Sequence, residues 1–126
     1  MVSNEALQKR SIVLVVEDEL LVRLCAVTAL EEAGFGAVEA ATADEAIEIL
    51  ERRSDIAVVF TDVHMPGSMD GLKLAHAVRV RWPPIRIIVT SGRGRLEERD
   101  LPKGGRFFPK PYDPGQIKGA LHEWAL

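Results

Sequence analysis

At 126 residues, with 47% hydrophobic and 28% charged side chains, the chain has the size and make-up of one globular domain with a sizeable core and little room for a second. Its net charge of -3 gives no general attraction to nucleic acid or to an anionic membrane, so direct binding to either is not expected. Cys25 is the single cysteine, which excludes an intrachain disulfide and a multi-cysteine zinc site, and its helical context predicts plain packing.

The first apolar run, residues 12–16, reads as a buried strand. It is too short for a secretory core or a membrane span, no later segment approaches spanning length, and a cytoplasmic location is expected. Glu17, Asp18 and Glu19 follow it directly. Val22, Cys25, Ala26, Ala29, Leu30 and Ala33 then recur at helical spacing, with Gly34 placed as a cap. Leu20, Leu24 and Val27 form a second apolar stripe roughly opposite the first, which predicts a partner-docking surface. Residues 37–39 read as a second strand. Thr42 and Glu45 have capping-box spacing and open a helix whose stripe is Ala43, Ala46, Ile47 and Leu50.

Residues 56–60 read as a third strand leading to Asp62, and a third helix is predicted from Asp70 or Gly71 to just before Pro83 and Pro84, with Leu74, Ala75 and Val78 inward. Residues 86–90 and 106–108 complete five strands. Between these last two, residues 91–105 offer only Leu96 and Leu101 as apolar groups, and Arg93, Arg95, Arg99 and Lys103 alternate with Glu97, Glu98 and Asp100. Such a segment buries a helical face poorly, so a solvated turn or a short, mobile helix is expected rather than a nucleic-acid patch. Asp113 as N-cap and Pro114 at the first helical position start a last helix bearing Ile117, Ala120, Leu121 and Trp124.

Strands alternating with helices predict a parallel sheet covered on both faces. Neighbouring parallel strands would bring the acids Glu17, Asp18, Glu19 and Asp62, a hydroxyl and Lys110 to one edge, where α/β folds place ligands. Carboxylates, a hydroxyl and an ammonium suit a divalent cation and a phosphoryl group. No glycine-rich fingerprint follows the first strand, which disfavours a dinucleotide site.

The chain resembles the receiver domains of two-component response regulators over residues 12–124. The likeness rests on an ordered set: Glu17-Asp18, Asp62 followed by Met65-Pro66 and Met69-Asp70-Gly71, Thr90-Ser91, and Lys110-Pro111. It implies a flavodoxin-like (βα)5 doubly wound parallel sheet of strand order 2-1-3-4-5. One receiver domain would occupy residues 1–126, with its core at about 11–125 and an N-terminal tail at 1–10.

By the same resemblance, Asp62 accepts a phosphoryl group from a histidine kinase or histidine phosphotransfer protein. A carboxylate can attack phosphorus to give an acyl phosphate, in a transfer that needs mainly positioning and charge neutralisation. Mg²⁺ or Mn²⁺ would be held by Glu17, Asp18, Asp62 and the backbone carbonyl of His64. Lys110 would pair with one phosphoryl oxygen and the Thr90 hydroxyl would bond another. Thr90 and Phe107 would form the switch, a change of populations rather than of fold. The protein would catalyse only its own phosphorylation and dephosphorylation, as a signalling protein rather than an enzyme. In this family the kinase bundle packs on the first helix and the loop before the last, which adds Pro111 and Tyr112 to Leu20, Leu24 and Val27 as expected docking residues. With no effector domain after the last helix, output is expected through another, unidentified protein.

The sequence departs from the family pattern in three places. Glu17 stands where many receivers have Asp, the loop over residues 65–71 carries one extra residue, and the segment between Thr90 and Phe107 is short. The fourth helix is therefore expected to be short or irregular, and the dimer face it helps to build is in question. Two other classes compete. A pseudo-receiver would bind partners without phosphorylation, but it would lose the acids or the lysine that this chain keeps. A Mg²⁺-dependent aspartyl phosphatase would place its nucleophile and a second acid two residues apart after the first strand, where this chain has Glu17 and Glu19.

Overall fold

The computed structural model describes residues 10–93 and 96–126. The expected tail thus lies outside the described residues except for the exposed Arg10, as do Gly94 and Arg95 of the loop. Five strands, β1 (Ile12–Val16), β2 (Gly36–Ala40), β3 (Ile56–Asp62), β4 (Arg86–Ser91) and β5 (Arg106–Pro109), form one sheet of order β2-β1-β3-β4-β5. Every pair is parallel. The strands match the expected positions and run slightly longer, so that Asp62 closes β3 and Ser91 closes β4.

Alternation along the strands divides the core. Val13, Val15, Val58, Phe60 and Ile88 point to the face covered by α1 (Leu20–Glu32) and α4 (Pro114–Glu123). Leu14, Val16, Val59, Ile87 and Val89 point to the face covered by α2 (Ala43–Arg52) and α3 (Gly71–Arg81). Both faces are dry, as a parallel sheet with crossover helices requires.

The helix ends follow their local chemistry. Thr42 accepts from the Glu45 amide and Asp70 from the Lys73 amide, and Asp113 and Gln116 cap α4 reciprocally. α1 ends in a Schellman motif: the Phe35 amide donates to Leu30 and the Gly34 amide to Glu31, with Gly34 at φ 96° and Phe35 packed in the same cluster as Leu30.

Two expectations on α1 are corrected. Val27 is 9% exposed and sits in the core beside Ala26 and Leu30, so it belongs to no docking stripe. Cys25 is exposed rather than packed. Both errors have one cause: Ala26 and Leu30 of the expected stripe do meet the sheet, but the helix is turned slightly so that Val27 joins them and Cys25 faces out.

Among its described residues, the short segment between β4 and β5 carries one 3-10 turn, Glu98–Asp100, where the family's fourth helix is in question. Glu97 and Asp100 cap it reciprocally, and Leu96 and Leu101 pack with Phe107 onto the α2–α3 face. Two apolar side chains suffice to hold a turn but not a helix. Among the described residues, no helix is long and apolar enough to cross a membrane.

Candidate functional site

The strand order reverses between β1 and β3, and the carboxyl ends of the two strands deliver the acids there. Glu17 directly follows β1, its amide extending the ladder to the Ala40 carbonyl at 3.0 Å. Asp62 is the last residue of β3. Glu17 and Asp62 are buried, at 4% and 7% exposure, whereas Asp18 is open to solvent. Each of the three offers an oxygen within 4.8 Å of the others, a grouping able to hold a metal ion.

Lys110 reaches in from the end of β5. Its Nζ lies 2.9 Å from Glu17 Oε1 and 3.3 Å from Asp62 Oδ2. The Lys110 amide donates to the Ser91 carbonyl, which ties this point to the end of β4; the Lys110–Pro111 peptide that leads to α4 is cis. One ammonium therefore serves two buried carboxylates. Asp62 Oδ1 is buried with no hydrogen-bond partner among the described residues, the kind of orphan that calls for a cation or a further donor.

Burial raises the Glu17 carboxyl above its usual pKa and the Asp62 charge adds to this, outweighing the Lys110 and Glu19 hydrogen bonds, which lower it. Burial works to lower Lys110, but Glu17 and Asp62 together more than offset it, and the ammonium stays charged. For Glu17 the folded state binds the proton more tightly than the unfolded chain. Its contribution to stability therefore falls as pH rises from the unfolded pKa through the raised folded one, and the cost is fully present above that. In metal-free buffer, Glu17→Gln is expected to flatten this stretch of the stability–pH curve measured by urea unfolding. An unchanged slope would contradict burial as the governing cause.

The loop after β3 wraps the site. The Val63 amide donates to the Thr90 carbonyl, the Gly71 amide to the Val63 carbonyl, and Ser68 Oγ to both Asp44 oxygens at 2.7 and 2.9 Å, which ties the longer loop to the start of α2. The His64 side chain is exposed. Thr90 pairs in register with Asp62, but its hydroxyl donates to the Phe108 carbonyl at 2.7 Å. Phe107 packs on the α2–α3 face and Phe108 on the other.

On α1, Leu20 and Leu24 are exposed, at 55% and 41%, and the sequence reading missed Leu21, the most open of the three at 76%. Adjacent leucines at the first turn of a helix were the available signal. An apolar groove of about 470 Å³ runs between α1 and α4, lined by Val22, Cys25, Ala29, Tyr112, Pro114 and Ile117 among others. Small residues on α1, Cys25, Ala29 and Ala33, leave the space between the two helices unfilled. The Tyr112 ring stacks edge-on against Phe60 at 5.5 Å, and burial raises its pKa.

The model of the response regulator receiver domain matches residues 13–122. The chain belongs to the response regulator receiver domain family. Among its relatives, the sensor kinase CckA of Brucella abortus (strain 2308) is 38% identical over 115 residues, which cover 88% of this chain and 12% of that protein. The nitrogen assimilation regulatory protein NtrX of Azorhizobium caulinodans is 33% identical over 110 residues, 83% of this chain and 24% of that protein. A receiver protein from Pseudomonas putida superposes with a TM-score of 0.81 at 31% identity, covering 92% of this chain and 98% of that one. The receiver thus spans a quarter or less of these two curated relatives. It is a receiver domain of the kind found in two-component signalling proteins.

Proposed function

We propose that this receiver is phosphorylated on Asp62 by a phosphohistidine of a histidine kinase or phosphotransfer protein, with a bound divalent cation. The observation that carries the reading is Asp62 itself: a buried carboxylate at the end of β3, one oxygen unpartnered, flanked by Glu17, Asp18 and Lys110. Three acids facing one ammonium fit a hard, oxygen-seeking cation such as Mg²⁺ or Mn²⁺, and the orphaned Oδ1 is consistent with it. Glu17, Asp18, Asp62 and the His64 backbone carbonyl would hold it. The bound cation supplies charge neutralisation, to the crowded carboxylates and to the incoming phosphoryl oxygens alike.

In the transfer, an Asp62 carboxylate oxygen forms the new O–P bond as the N–P bond to the donor imidazole breaks. The electron pair of that bond stays on the imidazole nitrogen, which then takes a proton. Lys110, already 3.3 Å from Asp62, turns from the carboxylates to a phosphoryl oxygen. Thr90 gives up its bond to the Phe108 carbonyl to donate to another oxygen, and the space it leaves lets Phe107 and the β4–β5 surface rearrange. That surface would signal to a downstream protein. Residues 11–125 act as one receiver unit in this reading.

Docking of the donor falls to Leu20 and Leu24, joined by Leu21, with Pro111 and Tyr112 across the groove. Leu24→Glu is expected to slow transfer from a phosphorylated histidine phosphotransfer protein at least about tenfold, the loss of roughly 1.4 kcal/mol of apolar contact. Labelling by a small phosphodonor should be unchanged in the same variant. Equal loss in both assays would place the defect in the site and not in docking.

A further inference from the structure

We infer that Arg23 is a positioning residue that aims the acidic pair Glu17-Asp18 at the cation; this rests on the cation-dependent reading above. Arg23 lies one turn into α1 and its side chain is only 15% exposed, although it carries a full charge. Its Nη1 donates to the Glu17 carbonyl at 2.8 Å and its Nε to Glu39 Oε1 on β2 at 2.9 Å. The guanidinium fork thus clamps the point where β1 leaves the sheet to the neighbouring strand.

The clamp matters because little else fixes that point. The β1–β2 ladder ends with the Glu17 amide on Ala40, and Glu19, the N-cap of α1, makes no side-chain cap. Glu17 is held by Lys110 at Oε1 and by the Glu19 amide at Oε2. Asp18 makes no hydrogen bond or ion pair among the described residues, so its carboxylate is placed by the backbone alone. The Glu17 carbonyl belongs to the peptide that carries Asp18, and a bond at each end of Glu17, amide to Ala40 and carbonyl to Arg23, sets the plane of that peptide. Arg23 therefore directs Asp18 without touching it.

Charge favours the same reading. A lone cation this close to the acids would repel Mg²⁺, but Glu39 pairs with Arg23 and cancels it. What remains is orientation, the outer-layer support that metal sites depend on.

The test is titration of the full chain with Mg²⁺ alone by calorimetry, beside small-donor labelling across Mg²⁺ concentrations. Arg23→Met is expected to weaken Mg²⁺ binding about tenfold and to raise the Mg²⁺ needed for half-maximal labelling by the same factor, with the plateau rate retained. Should Arg23→Met fail to fold, Arg23→Lys keeps the charge and most of the stem but reaches only one acceptor, and a several-fold loss is expected. Mg²⁺ affinity within twofold of wild type in a folded variant, or a fallen plateau at unchanged half-saturation, would overturn the role. A wild-type protein that binds no Mg²⁺ overturns the cation reading and this one together.

Discussion

Gly71→Ala should lower the melting temperature on the order of 10 °C and disturb Asp62 in the same stroke. A Cβ at this position would overlap the Asp62 carbonyl oxygen and stand 2.6 Å from its carbon and 2.8 Å from Thr61 Oγ1. None of these is the loose end of a long side chain. Gly71 is the first residue of α3 and its amide is bonded to the Val63 carbonyl, so the helix start and the end of β3 must both move to admit a methyl group. Overpacking of this kind costs about 3 kcal/mol, and each kcal/mol shifts melting by roughly 4 °C in a domain of this size. The displaced backbone carries the phosphoacceptor, and labelling by a small donor should fall along with stability. Calorimetry showing a melting temperature within about 2 °C of wild type would contradict the close approach.

Asp62→Asn is expected to abolish phosphorylation while making the metal-free protein more stable by roughly 1 kcal/mol. The two effects come from the same atoms. Amide and carboxylate have nearly the same shape, so packing at the end of β3 survives, but the amide cannot form an acyl phosphate. In the wild type, Glu17 and Asp62 are both buried and share one ammonium, and Asp62 Oδ1 has no hydrogen-bond partner among the described residues. Removing one charge leaves Glu17 with Lys110 to itself and relieves the repulsion. Added Mg²⁺ should then stabilise the variant less than the wild type, since one of three acids is gone. Urea unfolding with and without Mg²⁺ reads both shifts; a less stable Asp62→Asn would contradict the repulsion between the two buried acids.

The fold was legible because its signals were local. Short β-branched runs, capping residues at Thr42, Asp70 and Asp113, and Gly34 after α1 each dictate a conformation by themselves, and their alternation leaves few ways to build a sheet. The 3-10 turn that stands for a fourth helix among the described residues was equally local, written in two apolar residues among charges. The gathering of Glu17, Asp18, Asp62 and Lys110 followed from strand order, since all lie at strand ends.

What stayed hidden depends on helix rotation and on side chains reaching across elements. Small residues give α1 two plausible inner faces, and only packing on the sheet chooses the one that buries Val27 and exposes Cys25. The Arg23 clamp joins β1 to β2, and the Ser68 tether joins the β3 loop to Asp44, through polar groups that in a sequence look like ordinary surface. Glu17 stands where many receivers have Asp. The structure shows both of its oxygens engaged, one by Lys110 and the other by the Glu19 amide.

The most direct test of the phosphoacceptor reading is the intact mass of the purified chain after incubation with a small phosphodonor, with and without Mg²⁺, beside Asp62→Asn. The account predicts one added phosphate on the wild type, formed only with Mg²⁺, released by hydroxylamine and missing from the variant. A wild type that binds Mg²⁺ yet gains no phosphate, or a phosphate that persists in Asp62→Asn, would contradict it.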